Sequence, residues 1–368
     1  MIEKVQNLLE EMVERRASDL HFTPGVPPQL RIDGTLVPCD CSPLAPEDTR
    51  TYSYAMLDER RIEMLERDKG LDTSFGVSGL GRFRVNVYFE RGSVAAAIRH
   101  LPWEIPPLDE LGVPPIMKEF CSKLNGLVLV SGPTGSGKST TLASMLDLIN
   151  ATKSVHIISI EDPIEYLHRH RQSIVNQREI GRDATSFPDA VRHVLRQDPD
   201  VICIGEIRDL ETVRTALTLA ETGHLVLTTV HTSEAPQAIS RIVDIFPPHE
   251  QHGVRTQLSM SLQGVLVQQL LPDASGSGRC LATEVLIATA AVRNLIRENN
   301  LQQLRSCIET GTKDGMHSLN SSLLRLHKDG KIAVDTTISS SNDIKGIMRE
   351  LSRIHPNIDA SERQTAAH

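Results

Sequence analysis

Eight consecutive residues, Gly132-Pro133-Thr134-Gly135-Ser136-Gly137-Lys138-Ser139, constrain the fold of this chain more than any other feature. They follow the pattern glycine, four residues, Gly-Lys-Ser, and their flanks are the ones that pattern needs. Before them, Leu127-Val128-Leu129-Val130 is a short apolar run that predicts a buried strand. After them, Thr140 to Asn150 carries Leu142, Met145, Leu146 and Ile149, spaced for one face of a helix.

In a strand–turn–helix unit of this kind, glycines let the backbone N–H groups point inward at phosphate oxygens, and the helix offers its positive end. Lys138 can reach the β- and γ-phosphates, and the Ser139 hydroxyl can join the shell of a Mg²⁺ ion. With Thr140 completing the first helical residues, Gly132 to Thr140 form the candidate nucleotide-binding set. A bare glycine turn would need neither the Lys-Ser pair nor the strand and helix around it. A nucleoside triphosphate is the implied ligand.

The apolar runs Leu127–Val130, Val155–Ile160, Val201–Ile204 and Leu225–Val230 alternate with helical patterns, which predicts a mainly parallel sheet with helices on both faces. After about Pro247 the pattern reads as helical, with Ala282–Ile287 as one further strand and Asp273 to Gly278 as a polar loop. Residues 1–100 read as a smaller α/β unit. Val5, Leu8, Leu9, Met12 and Val13 form a helical stripe; Leu20–Phe22, Pro28–Ile32 and Arg82–Tyr88 read as strands. In the last of these, Phe83, Val85 and Val87 alternate with Arg82, Arg84 and Asn86, giving one arginine-bearing face. Residues 101–107, with Pro102, Pro106 and Pro107, form a stiff linker suited to a hinge. The second domain then covers 108–355, and 356–368 is a polar tail expected to fray.

Composition narrows the partners. The formal net charge is −8 and aromatic residues make up 3% of the chain, which leaves little for tracking or stacking on nucleic acid. The six cysteines include no Cys-x-x-Cys pair, so neither a zinc ribbon nor a zinc partner is expected. No apolar stretch approaches the ~20 residues of a membrane span, and Met1-Ile2-Glu3-Lys4-Val5 lacks the layout of an export signal, so a cytoplasmic protein is expected.

Hydrolysis needs carboxylates to organise Mg²⁺ and the attacking water. Two acidic segments end predicted core strands: Glu161-Asp162-Pro163-Ile164-Glu165 after Ile160, and Glu206-Ile207-Arg208-Asp209 after Ile204-Gly205. In an open parallel sheet ligands gather at the carboxyl ends of strands, so both should face the crevice of Lys138. An isolated acidic turn is ordinarily a solvated surface; two at strand ends beside a phosphate loop point to Glu206 and Glu165, then to Glu161 and Asp162. His231 ends the strand Leu225–Val230 and can meet phosphate, whereas His224 precedes that strand and belongs at its opposite end.

The order of these segments over roughly 100 residues resembles the secretion-type ATPases: Walker A loop, acidic box, atypical Walker B motif and histidine box. The resemblance extends over about residues 1–350. Within that family the chain is similar to the PilT/PilU pilus-retraction branch. Ala17-Ser18-Asp19-Leu20-His21-Phe22 opens the first domain as in that branch, with no long leader domain. The four-cysteine zinc insert usual in assembly and type II secretion ATPases is not expected. Ala291-Val292-Arg293-Asn294-Leu295-Ile296-Arg297-Glu298 resembles the branch's retraction motif with Val292 in place of Ile, although Val292, Leu295 and Ile296 alone describe a plain amphipathic helix.

The resemblance implies a PAS-like N-terminal α/β domain, a RecA-like P-loop ATPase domain with a helical C-terminal region, and a homohexameric ring with ATP between subunits. It implies that Lys138 and Ser139 hold phosphates and Mg²⁺, that Glu206 supports Mg²⁺ and its waters, and that Glu165 orients or deprotonates water. His224 and His231 would sense nucleotide state. Arg84 and Arg99, with Arg82 behind them, would reach phosphates in trans. The implied work is type IV pilus retraction and twitching motility at the cytoplasmic face of the inner membrane, with a membrane platform protein and a PilU-like ATPase as partners. An accessory retraction ATPase and an assembly or type II secretion ATPase are alternatives within the family. A nucleic-acid translocase and a non-catalytic ATP-binding scaffold are alternatives outside it.

Overall fold

The computed structural model describes residues 2–32, 34–77, 79–101, 104–276 and 278–354. The predicted tail, Met1, Ser277 of the polar loop, and Pro102 and Trp103 of the linker lie outside the described residues. Two compact units divide the chain: Met1–Glu104 with Pro163–Leu167, and Ile105–Asp162 with His168–His368.

The first unit is built on six strands: β1 (Asp19–Phe22), β2 (Gln29–Ile32), β3 (Thr35–Pro38), β4 (Gly70–Val77), β5 (Gly81–Glu90) and β6 (Ser93–Leu101). They lie in the order β3-β2-β1-β6-β5-β4 with every pair antiparallel. Helix α1 (Glu3–Glu14) buries Val5, Leu9 and Met12, a one-face spacing of four and three residues. It shares a core with Phe83, Val85 and Val87, which are fully buried as their alternation on β5 predicts. Helices α2 (Pro46–Tyr54) and α3 (Glu59–Asp68) fill the stretch before β4, the latter capped by the Asp58 carboxylate, which accepts from Arg61 N at 2.9 Å. Strands β3, β4 and β6 are absent from the pattern reading. Ala95-Ala96-Ala97 within β6 has helical propensity, and only pairing on both sides makes it a central strand.

The second unit holds β7 (Gly126–Ser131), β8 (His156–Glu161), β9 (Ile174–Glu179), β10 (Val201–Ile204), β11 (Leu225–Val230), β12 (Leu262–Pro272) and β13 (Arg279–Ile287). Their order is β13-β12-β7-β11-β10-β8-β9, parallel throughout except for the antiparallel edge strand β13. Helices cover both faces, so alternate residues of each central strand enter different cores. Leu127 and Leu129 of β7 pack with α6 (Phe187–Val194), α7 (Leu210–Glu221), α8 (Ala235–Asp244) and α9 (Gln251–Ser261). Val128 and Val130 pack with α4 (Ile116–Ser122) and α5 (Lys138–Thr152). Burial on both faces is why these strands read as continuous apolar runs.

The all-helical reading after Pro247 is corrected by β12, an eleven-residue strand set between β7 and β13. Its sequence, Leu-Gln-Gly-Val-Leu-Val-Gln-Gln-Leu-Leu-Pro, mixes glutamines into the apolar run and blurs the strand period. The C-terminal helices follow: α10 (Ala290–Arg297), α11 (Leu304–Thr310), α12 (Leu319–Lys328), α13 (Val334–Ser339) and α14 (Ile344–Ile354). The last three form their own small core against Leu271 and Ala282.

Candidate nucleotide site

The loop Gly132–Ser139 leaves β7 and runs into α5. Its three glycines have φ of +141° (Gly132), +79° (Gly135) and +87° (Gly137), backbone that side-chain-bearing residues rarely adopt. At Gly132 the space is closed as well: a Cβ would stand 2.3 Å from the carbonyl oxygen of Gln268 and 2.6 Å from Ser136 Oγ. The Lys138 ammonium is buried and folded over the loop, donating to the carbonyls of Gly132 and Pro133 at 2.9 Å each. Ser136 is 2% exposed, and its hydroxyl takes no hydrogen bond among the described residues. Cradle, ammonium and buried hydroxyl fit a phosphate chain. Ser139 and Glu206 supply hard oxygen donors of the kind Mg²⁺ takes.

Because β7, β8, β10 and β11 are parallel, their carboxyl ends share one edge of the sheet. β8 ends at Glu161, whose Oε1 accepts from Ser159 Oγ at 2.6 Å and from Gln177 Nε2 of β9 at 3.1 Å. The turn after β10 is drawn toward β11: Thr229 Oγ1 donates to the Gly205 carbonyl at 2.6 Å and Ile207 N to the Thr229 carbonyl at 3.2 Å. That turn presents Glu206, whose Oε2 meets His231 Nε2 at 3.1 Å and Arg208 Nη2 at 2.7 Å. Asp209 caps α7, accepting from Thr212 N at 2.9 Å. The segment after His231 is fastened to the residue before the loop, since Ser131 Oγ donates to the Thr232 carbonyl at 2.6 Å and accepts from Thr232 N at 3.1 Å.

Thus Gly132–Ser139, Glu206 and His231 converge on one edge. His224 does not: it sits at the other end of β11, where its carbonyl accepts from Gly126 N, at the start of β7, at 3.0 Å. Six residues of strand separate that end from the loop, about 20 Å. His224 Nδ1 lies 3.0 Å from the Leu219 carbonyl, which ties it to the end of α7. Glu165 belongs to Pro163–Leu167, the five residues grouped with the first unit.

Arg84 and Arg99 face each other across β5 and β6. Each has a carboxylate partner within the first unit: Arg84 pairs with Asp72 at 2.6 Å and Arg99 with Asp19 at 2.8 Å. Arg82 is buried and donates to Ser74 Oγ at 2.6 Å. Residues 291–298 form most of α10 and its C-cap. Thr289 Oγ1 caps this helix, Val292 and Ile296 are fully buried, and Leu295 is half-buried against them. Arg293 donates from Nη1 to two carbonyls in the last turn of α9, Ser259 O at 2.6 Å and Met260 O at 2.7 Å. Sequence reasoning missed this anchor, because its partners are supplied by tertiary packing. It also missed the Arg208–Glu206 pair, a local contact two residues apart that is set by the conformation of the turn.

A six-stranded parallel sheet with an antiparallel edge, and a glycine loop and an acidic turn at one strand edge, define a P-loop nucleotide-binding protein. The chain belongs to the family described as type II/IV secretion system protein, whose profile matches residues 1–328. It is 45% identical over 329 residues to the type IV pilus retractation ATPase PilT of Pseudomonas aeruginosa, covering 89% of this chain and 95% of that one. The type IV pilus ATPase PilU of the same organism is 39% identical over 343 residues, 92% of this chain and 90% of the relative. Among solved structures, that of the pilus retraction motor PilT with bound ADP superimposes with a TM-score of 0.89 at 52% identity, over 95% of this chain and all of that one.

Proposed function

We propose that the chain is an ATP-hydrolysing motor of type IV pilus retraction, acting as a homohexamer on a platform protein at the cytoplasmic face of the inner membrane. The observation that carries this reading is the meeting of the phosphate loop, Glu206 and His231 at one strand edge, in a chain similar to PilT over nearly the full length of both. In this reading Lys138 leaves the loop carbonyls for the β- and γ-phosphate oxygens of ATP. Ser139 and Glu206 would hold Mg²⁺, which screens the charge that develops on the transferred phosphoryl group. Glu165 is the candidate to orient water or accept its proton, with Glu206 as the other candidate. His231, seated on Glu206 Oε2, feels any change of charge at that carboxylate.

Arg84 and Arg99 of a neighbouring subunit would exchange Asp72 and Asp19 for phosphate. Arg84–Asp72 is an exposed ion pair, worth only ~0–1 kcal/mol, so its exchange costs little. Asp19 is buried, so releasing Arg99 leaves its carboxylate to the Ser18 hydroxyl and costs more. Residues 291–298 are the candidate retraction segment, and a PilU-like ATPase is a further partner. A sensing role for His224 has no support from its place at the far end of β11.

Deleting the gene in a piliated host tests the reading. Cells that keep or accumulate pili and lose retraction support it; bald cells would point to an assembly motor.

A further inference from the structure

We propose that Gln268 is a positioning residue of the nucleotide site, the side chain by which β12 fixes the phosphate loop. The inference rests on the ATPase reading above.

β12 runs parallel beside β7, and their last paired residues are Val267 and Ser131. Gln268 therefore lies level with the point where β7 gives way to the loop. Its carbonyl oxygen closes the space over Gly132, 2.3 Å from where a Cβ would stand. Its side-chain Nε2 donates to Thr141 Oγ1 at 2.9 Å, in the first turn of α5. Two residues on, on the same face, Leu270 Cδ1 lies 3.6 Å from a Cβ built on Gly137. One strand thus meets the loop at its first glycine, at its last glycine and at the helix that follows.

The residue type is informative. Gln268 and Thr141 are each 1% exposed, in a layer otherwise filled by Leu266, Leu142 and Met145. An aliphatic side chain would be the ordinary occupant, because a buried amide is costly unless its hydrogen bonds are made. Here they are only partly made: Gln268 Oε1 takes no hydrogen bond among the described residues. Such a group adds little to folding, so its value lies in the contact it does make. Holding Thr141 sets the register of the helical turn that carries Lys138 and Ser139, and small misplacements there lower turnover. Nucleotide affinity depends more on the backbone N–H groups of Gly132 to Gly137, which Gln268 does not supply.

The experiment compares steady-state ATP turnover and thermal midpoints of the parent, Gln268→Met, Thr141→Val, their double variant and Thr141→Ser. Turnover by the parent checks the ATPase reading, and the ratio of variant to parent checks Gln268. We expect kcat to fall by about 10-fold or more in Gln268→Met and Thr141→Val with KM for ATP within ~3-fold. The double variant should be no slower than either single one, and Thr141→Ser, which keeps the hydroxyl, should retain most of the parent's kcat. Parental kcat in Gln268→Met, multiplying losses in the double variant, or losses confined to the thermal midpoint would overturn the proposal. Thr141→Val and Thr141→Ser keep it falsifiable should Gln268→Met fail to fold.

Discussion

Two glycines of one loop separate the cost of backbone conformation from the cost of occupied space. Gly135 has φ +79° and nothing within 4 Å of a Cβ built on it. Gly135→Ala therefore meets only the left-handed penalty, about 1–2 kcal/mol. Gly132 has φ +141°, and its Cβ would overlap the Gln268 carbonyl oxygen at 2.3 Å. That oxygen belongs to a strand paired on both sides, so it cannot swing away as the end of a side chain could. Strain outside the left-handed well adds roughly 1–3 kcal/mol, and overpacking adds another 1–3 kcal/mol. Gly132→Ala should thus cost about 2–6 kcal/mol. In a unit of this size, 1 kcal/mol shifts a thermal midpoint by roughly 2–4 °C. Without nucleotide, the midpoint should drop by ~2–8 °C in Gly135→Ala and by about twice as much or more in Gly132→Ala. Differential scanning fluorimetry on the purified variants reads this directly. Equal shifts for the two variants would refute the steric argument.

Two further outcomes follow from the C-terminal part of the ATPase unit. Burial, reinforced by the positive charge of Arg325, pushes His317 down to about 4, and its Nε2 lies 2.8 Å from Thr283 Oγ1. The folded pKa lies below the unfolded one, so the unfolded chain binds more protons between pH 6.5 and 4. Stability present above pH 6.5 is lost as pH falls toward 4, by about 1–3 kcal/mol from this group. His317→Gln should make the thermal midpoint less steep between pH 7 and pH 5, and a slope identical to the parent's would contradict the assignment. Arg293→Met removes the donor to the Ser259 and Met260 carbonyls in the last turn of α9 and should cost about 1–2 kcal/mol, read as a lowered denaturation midpoint. An unchanged midpoint would show that water replaces the guanidinium without loss.

The parts of the site legible in the sequence are those whose local pattern and function coincide. β7, β8, β10 and β11 are buried on both faces, so they appear as apolar runs, and the loop, Glu206 and His231 sit directly at their ends. Parallel topology then puts those ends on one edge without knowledge of the strand order. What holds them was not legible. Gln268 comes from a strand more than a hundred residues after the loop, whose glutamines hide its period, and it lies against Thr141 only because β12 inserts beside β7. Arg84 is visible with Arg82 on one face of a strand and Arg99 only through the family resemblance, and the partners Asp72 and Asp19 depend on the pairing of β4, β5, β6 and β1. His231 and His224 share a motif but bracket one strand, which separates them by its whole length.

The most direct test of the account is ATP turnover with Mg²⁺ by the purified protein, beside Lys138→Ala and Glu206→Gln. The account predicts clear hydrolysis by the parent and a loss of about 100-fold or more in each variant, with Lys138→Ala also weakening nucleotide binding. Parental rates in both variants would contradict a catalytic site built from the loop after β7 and the turn after β10.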